Sequence, residues 1–454
     1  MLVALIATFI IGYACIALEH PIKINKTATA LLLGVLLWTL YAFSASTFAG
    51  LIPEGTTWQN ELTHHLGSTA EIVFFLLGAM TIVTLVDEYQ GFRLITDLIK
   101  TRNKRKLLWT LSFITFFLSA VLDNMTTAIV MCALLRKLIG DKQERWLFAG
   151  MVILAANAGG AWSPIGDVTT IMLWIGGQVT TVNIMVKTLL ASLACMVIPV
   201  LLLCTQLHGD VEKPASDECG IEIDKKWRNM IFFIGIGALV FVPIFKTITH
   251  LPPYLGMLFG LSVLWIITEI ISRKNSKENF KLPTAMSTLE HIDTPSILFF
   301  LGILMAVACL ETCGALGMLA TGLNDTFLNI NAGNEPIGFF IIDLIIGVLS
   351  SIIDNVPLVA ATMGMYPLGG EDLIFAVNHP FWEFLAYCAG TGGSLLIIGS
   401  AAGVAVMGME KIDFIWYLKK ISPLALAGYL AGAIVFILMD VTLFEKVEWL
   451  RNLA

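Results

Sequence analysis

Charge is scarce in this chain: Asp, Glu, Lys and Arg together make up 13% of its 454 residues, and the net charge is a modest −7. No basic run is interleaved with aromatics, which excludes a nucleic-acid groove and gives no reason to expect a polyanionic partner. The eight cysteines sit mostly in apolar stretches. Cys309 and Cys313 share a helix face at i, i+4 spacing, but no His or second Cys pair joins them, so packing explains them better than a metal. No basic segment precedes the apolar run that starts at Leu2 and no small-residue cleavage site follows it, which favours a retained helix over a signal peptide. The histidines (His20, His64, His65, His208, His250, His291 and His379) fall in loops or at a span end and are weak candidates for pH sensing. What fills the chain is apolar: 57% of residues are hydrophobic and the mean hydropathy is +0.84. A multi-span, all-α membrane protein is predicted.

About 20 apolar residues cross roughly 30 Å of hydrocarbon. On that measure ten full crossings are expected, near 2–18, 27–44, 69–87, 146–177, 184–206, 229–247, 253–272, 294–313, 381–409 and 421–440. Two further apolar blocks, 107–135 and 337–366, are interrupted at mid-length by Asp123-Asn124 and Asp354-Asn355. Each arm is too short to span, so both blocks read as re-entrant hairpins with polar tips, tolerated only where the tip meets protein or water. Placing the Lys100–Lys106 cluster in the cytoplasm puts all but four of the 27 Lys and Arg on that side, the exceptions being Lys187, Lys246, Lys446 and Arg451. Hairpin 107–135 then enters from the cytoplasm and hairpin 337–366 from outside, with both termini outside.

The two hairpins belong to a repeat. SAVLDN (119–124) matches SSIIDN (350–355), NAGGAWSPIGD (157–167) matches GTGGSLLIIGS (390–400), and IVFFLLGAM (72–80) echoes ILFFLGILM (297–305). The organisation expected is N-terminal scaffold helices (1–66), repeat 1 (67–206), a cytoplasmic linker (207–228), scaffold helices (229–291), an inverted repeat 2 (292–440) and a tail (441–454). The shared GG-x4-IG pattern and Pro164 lie within crossings 146–177 and 381–409, where they predict broken helices whose free carbonyls and half-helix ends bind an ion. Small-residue helix packing is the plainer reading of one such segment; two, each matched to an Asp-Asn hairpin, favour a site.

The candidate site collects Asp123, Asn124, Thr126, Thr127, Asn157, Ser163, Asp167, Thr169 and Thr170 from repeat 1, and Asp354, Asn355, Thr391, Ser394 and Ser400 from repeat 2. All are oxygen donors, which suits sodium or another alkali cation better than a soft metal. Desolvation raises a carboxyl pKa from about 3.9 by as much as several units, so a buried Asp can hold either a proton or sodium. Competition for one site that faces either side is antiport. Asp167 corresponds to Ser400, so the repeats are not equivalent: Asp123 and Asp167, with Asn124 beside them, are expected to form the main sodium and proton site, and Asp354 a weaker or structural counterpart. Glu311 and Asp343 are further acids within apolar sequence; Glu71, Asp87 and Glu88 lie near helix ends and read as structural.

The motifs SAVLDNMTTAIV, NAGGAWSPIGDVTT, SSIIDNVPLVA and GTGGSLLIIGSAAG resemble those of the NhaD-type sodium/proton antiporters of the ion transporter superfamily. The resemblance implies exchange of sodium or lithium for protons with no cofactor, a homodimer moving by an elevator-type mechanism, and a bacterial inner membrane or an organellar one. It further implies roles for Asp123, Asn124, Asn157, Asp167, Thr169, Thr170, Glu311, Asn355, Thr391 and Ser394. Position 311 is Glu where the family pattern has Asp, and Pro357 follows Asn355 where the first repeat has Thr126. Sodium-coupled carboxylate symporters of the same superfamily carry Ser-Asn-Thr at these tips; Asp in place of Ser disfavours an anionic substrate, and disfavours an oxyanion for the same reason. An intramembrane aspartyl protease could use two of the aspartates but has no use for inverted repeats.

Overall fold

The computed structural model describes all residues except 49, 51–56, 97–98, 100, 213–223, 276–281, 329, 333–334, 353, 369–374 and 445–454. The middle of the predicted linker, Ile353 of the second tip motif, and the tail with Lys446 and Arg451 therefore lie outside the described residues.

The principal helices are α1 (Leu2–Ala17), α2 (Lys26–Phe43), α3 (Trp58–Glu88), α4 (Lys104–Leu122), α5 (Asn124–Leu138), α6 (Lys142–Gly160), α7 (Val168–Ile175), α8 (Thr181–Gln206) and α9 (Lys225–Thr249). There follow α10 (Pro253–Asn275), α11 (Thr294–Thr312), α12 (Ala315–Leu323), α13 (Gly338–Leu349), α14 (Asn355–Met365), α15 (Pro380–Gly392), α16 (Ala401–Glu410) and α17 (Ser422–Met439). A two-residue strand pair, Asn331–Ala332 with Glu335–Pro336, is the one sheet among the described residues. Polar caps set many of the starts: the side chains of Asn25, Asn103, Asp141 and Asp293 each accept a backbone N–H from the first turn of α2, α4, α6 and α11.

Eight described helices are long and apolar enough to cross a membrane: α2, α3, α4, α8, α9, α10, α11 and α17. The first residues of α4, Lys104 to Lys106, are basic, which leaves 16 residues, about 24 Å at 1.5 Å each, and makes α4 an arm of a hairpin with the 15-residue α5. The arms of the second hairpin, α13 and α14, are shorter still, at 12 and 11 residues. Two predicted crossings are indeed broken: 146–177 is α6 and α7 with residues 161–167 unwound between them, and 381–409 is α15 and α16 with 393–400 unwound. One boundary differs from expectation. The helix read at 69–87 begins at Trp58, because its polar first three turns continue the helix beyond the apolar stretch.

The hairpins point in opposite directions. Both open ends of the first hairpin pair with the segment after α8, through the Asn103–Asp210 bridge and the Gly140 N–H to the Glu212 carbonyl. Both open ends of the second meet Phe375, which packs on Phe339 at the start of α13 and on Tyr366 at the end of α14. The neighbouring Asn378 N–H donates to the Gln178 carbonyl just before α8. Helix α8, 26 residues long, thus runs from one hairpin mouth to the other.

The helices sort into two bundles. In one, α2 packs on α1 and α11, α3 on α10 and α11, and α9 on α10. In the other, the core, α4 and α5 pack on α6, α13 on α15, α5 on α16, and α8 on α17. The boundary is formed chiefly by α14 against α11 and α12, with lesser contacts of α3 on α7 and α9 on α4. The leading helix of each repeat, α3 or α11, therefore sits in the outer bundle, α12 lies at the boundary, and the remaining helices of each repeat build the core.

Candidate functional site

The internal repeat is written into the backbone contacts. The Ser119 hydroxyl donates to the Ala156 carbonyl at 2.6 Å, and its counterpart Ser350 donates to Ala389 at 2.7 Å. Each hairpin is thereby hooked to the helix that breaks beside it. The first glycine of each GG pair serves the same union. A Cβ on Gly159 would collide with the Phe116 carbonyl, and one on Gly392 with the Gly347 carbonyl, so only glycine lets hairpin and broken helix approach this closely.

Four helices begin around the site: α5 capped by Asp123, α7 by Asp167, α14 by Asp354 and α16 by Ser400. Their N-termini carry partial positive charge, and three of the four caps are carboxylates. Asp167, 1% exposed, is the hub. Its side chain accepts the Thr169 N–H at 3.1 Å, and the Thr170 hydroxyl closes the capping box against the Asp167 backbone. From the first tip, Asn124 Nδ2 donates to Asp167 Oδ2 at 2.7 Å. From the second, Asn355 Nδ2 lies at 3.4 and 3.3 Å from the two carboxylate oxygens. Asn157 completes the cluster: its Oδ1 accepts from Asn124 at 3.1 Å while its Nδ2 donates to Ser394 at 2.8 Å and Ser400 at 2.9 Å. The buried Thr127 hydroxyl has no hydrogen-bond partner among the described residues. This is an oxygen-rich cluster built from both repeats, with one buried carboxylate at its centre.

Other predicted residues take different posts. Asp123 is half-buried and spends both oxygens on Thr126, accepting its N–H at 2.8 Å and its hydroxyl at 2.6 Å. Its backbone, at φ 124° and ψ 159°, lies in territory that normally belongs to glycine. Asp354 faces the outer bundle, 3.8 Å from the Lys26 ammonium of α2. Ser163 donates to the Ala120 carbonyl at 2.5 Å, tying the unwound segment to α4, and Thr391 donates to Tyr387 within its own helix. Glu311 stands apart, against Gly364 near the far end of α14, nine residues beyond Asn355.

Two acids went unread in the sequence. Glu410 is 3% exposed and is gripped by Arg136 and Arg145, each Nε 2.6 Å away, locking the mouth of the first hairpin to the end of α16. Glu383, fully buried, accepts from Asn183 at 2.6 Å. The available signal was that it lies inside predicted crossing 381–409.

The sequence profile of the citrate transporter family matches residues 13–382. A protein of Arabidopsis thaliana described as sodium/proton antiporter 1 is 47% identical over 447 residues, spanning 98% of this chain and 73% of that protein. The Na(+)/H(+) antiporter NhaD of Vibrio cholerae is 30% identical, spanning 96% of this chain and 91% of that one. The fold is shared with the YdaH transporter of Alcanivorax borkumensis, at 12% identity and a TM-score of 0.56 over 92% of this chain and 99% of that chain. With broken helices, opposed hairpins and relatives of this kind, the chain belongs to the citrate transporter family, grouped with its NhaD-type sodium/proton antiporters, as a multi-pass membrane transporter and not an enzyme.

Proposed function

We propose that the protein exchanges sodium or lithium for protons, Asp167 holding a cation and a proton by turns. One observation carries this reading: the amides of Asn124 and Asn355, delivered by hairpins that open to opposite faces, meet on a single buried carboxylate. A lone carboxylate among hydroxyl and amide oxygens matches a hard monovalent cation, and the same carboxylate without the cation is costly to leave ionised in the interior. Asp123 and Asp354 add negative charge close by, the former at a strained tip and the latter paired with Lys26. Alternating access follows if the core bundle moves against the outer one at the α14 boundary. On this reading α2 and α10 face lipid and a second copy, and the membrane is a bacterial plasma membrane or its organellar descendant.

The family's citrate-transporter description supports a second reading, in which a carboxylate substrate moves with sodium. Three aspartates at the helix caps oppose that, since a polyanion would meet them at close range. The deciding experiment is proton movement in proteoliposomes under an imposed pH gradient, with sodium, lithium or potassium chloride added, for the wild type and for Asp167→Asn. Dissipation by sodium or lithium that vanishes in the variant supports antiport. Silence toward all three cations, with citrate-driven sodium uptake, overturns it.

A further inference from the structure

A second set of buried acids lies along α15, away from the Asp167 pocket. Asp343 of α13 and Glu383 of α15 are both 0% exposed. Neither carboxylate oxygen of Asp343, nor Oε2 of Glu383, has a hydrogen-bond partner among the described residues, and the two sit on helices packed against each other, with the neighbouring Phe340 and Phe384 rings 5.3 Å apart. The groups facing them can be named from each packed element. From α8, the Lys187 ammonium stands 4.0 Å from Glu383 Oε2 and 3.4 Å from the Asn378 carbonyl, and Asn183 donates to Glu383 Oε1. From α17 comes Tyr429, whose hydroxyl donates to the Leu344 carbonyl, and from the residue that ends α17 comes Asp440, whose charge acts on Glu383. Cys388 packs against Gly347, one turn beyond Asp343 on α13. His379, just before α15, accepts the Phe381 N–H on Nδ1, and burial, with Lys187 beside it, holds its pKa down at about 4, so the imidazole stays neutral.

We propose that Asp343 and Glu383 form a second proton-binding site, separate from Asp167 and loaded from the face that carries Lys187 and His379. Two ionised carboxylates with one ammonium would leave a net negative charge in a dry interior, and an ionised carboxylate there without a hydrogen bond is prohibitively unfavourable. A single proton removes the imbalance: Glu383 pairs with Lys187 and Asp343 stays neutral. The bound species is a proton because the Lys187 ammonium, 4.0 Å from Glu383 Oε2, already holds the cationic place beside these carboxylates and repels a metal cation. The pocket sits eight residues before Thr391 on the helix that leads to Ser394, about 12 Å at 1.5 Å per residue, so its charge state is felt at the cation pocket.

The use made of this proton in transport rests on the antiport reading, but its existence does not, and the test keeps them apart. The full-length protein in lipid is titrated while the protonated-carboxyl stretching band is followed by infrared spectroscopy. With the Asp167 carboxyl removed by Asp167→Asn, a band persisting well above the pH at which ordinary carboxyls ionise is expected, insensitive to sodium, and lost when Asp343→Asn is added; the wild type is expected to show the same component. Should Asp343→Asn not fold, Lys187→Gln serves: removing the ammonium raises the band's midpoint by at least about one pH unit. A band unchanged in both Asp343→Asn and Lys187→Gln, or one abolished by sodium or by Asp167→Asn, overturns the site. Sodium exchange measured on the same preparations reports separately on antiport.

Discussion

Asp123 holds a backbone conformation suited to glycine, and replacing it with glycine separates its charge from its structural duties. The positive φ of 124° costs an aspartate about 1–3 kcal/mol, which glycine recovers. Against this, glycine at a helix N-cap loses only a few tenths of a kcal/mol, and the more flexible unfolded chain costs about 0.5–1 kcal/mol. The net change for Asp123→Gly is thus between about zero and 2 kcal/mol of stabilisation. Asp123→Ala keeps the strain and loses the cap that Thr126 uses, and is destabilised by about 1 kcal/mol. Thermal or denaturant unfolding of purified protein in detergent, alongside proteoliposome exchange, is the assay. Asp123→Gly is expected to be at least as stable as wild type yet defective in sodium-dependent proton movement. Full exchange in that variant, or a loss of stability beyond about 2 kcal/mol, would refute the view that a carboxylate is retained there for its charge at the expense of the backbone.

Asp167→Asn is expected to abolish exchange at every pH, whereas Ser400→Ala, which removes one of two acceptors of Asn157 Nδ2, weakens apparent sodium affinity a few-fold; equal effects in transport assays would contradict the asymmetry of the repeats. Glu410→Ala leaves Arg136 and Arg145 without their shared carboxylate, and because the Arg136 side chain is 48% exposed the loss is about 1–3 kcal/mol rather than that of a fully buried pair, read as a lower unfolding midpoint. Lys26→Met frees Asp354 from the outer bundle; exchange should persist with an altered turnover rate, and an inactive but folded variant would assign Lys26 to the site itself.

Much of the architecture was legible because apolar length, which lipid burial demands, and the repeated Asp-Asn and GG-x4-IG motifs mark where helices span and where they break. The broken helices could be read from Gly160, Gly393 and Pro164. Two features resisted reading, for different reasons. A helix does not end where its apolar stretch ends, so the polar start of α3 was missed. Nor does a motif reveal which way its side chains turn: Asp123 and Asn124 are adjacent, but only Asn124 points at Asp167, while Asp123 caps α5. Glu383 and Glu410 have no repeat counterpart to announce them, since their partners Lys187, Arg136 and Arg145 are distant in sequence.

If the core alternates between compartments as proposed, the two amides on Asp167 act as two doors with separate keys. Asn124 sits at the inner end of a hairpin whose mouth opens beside Asp210 and Glu212, and Asn355 at the inner end of one that opens beside Phe375. On the antiport reading proposed above, each amide is the last contact between the carboxylate and one compartment. Drawing back one hairpin tip removes one ligand and leaves the other in place, so the carboxylate keeps a hydrogen-bond donor whichever compartment it meets, and a leak would require both tips to withdraw at once.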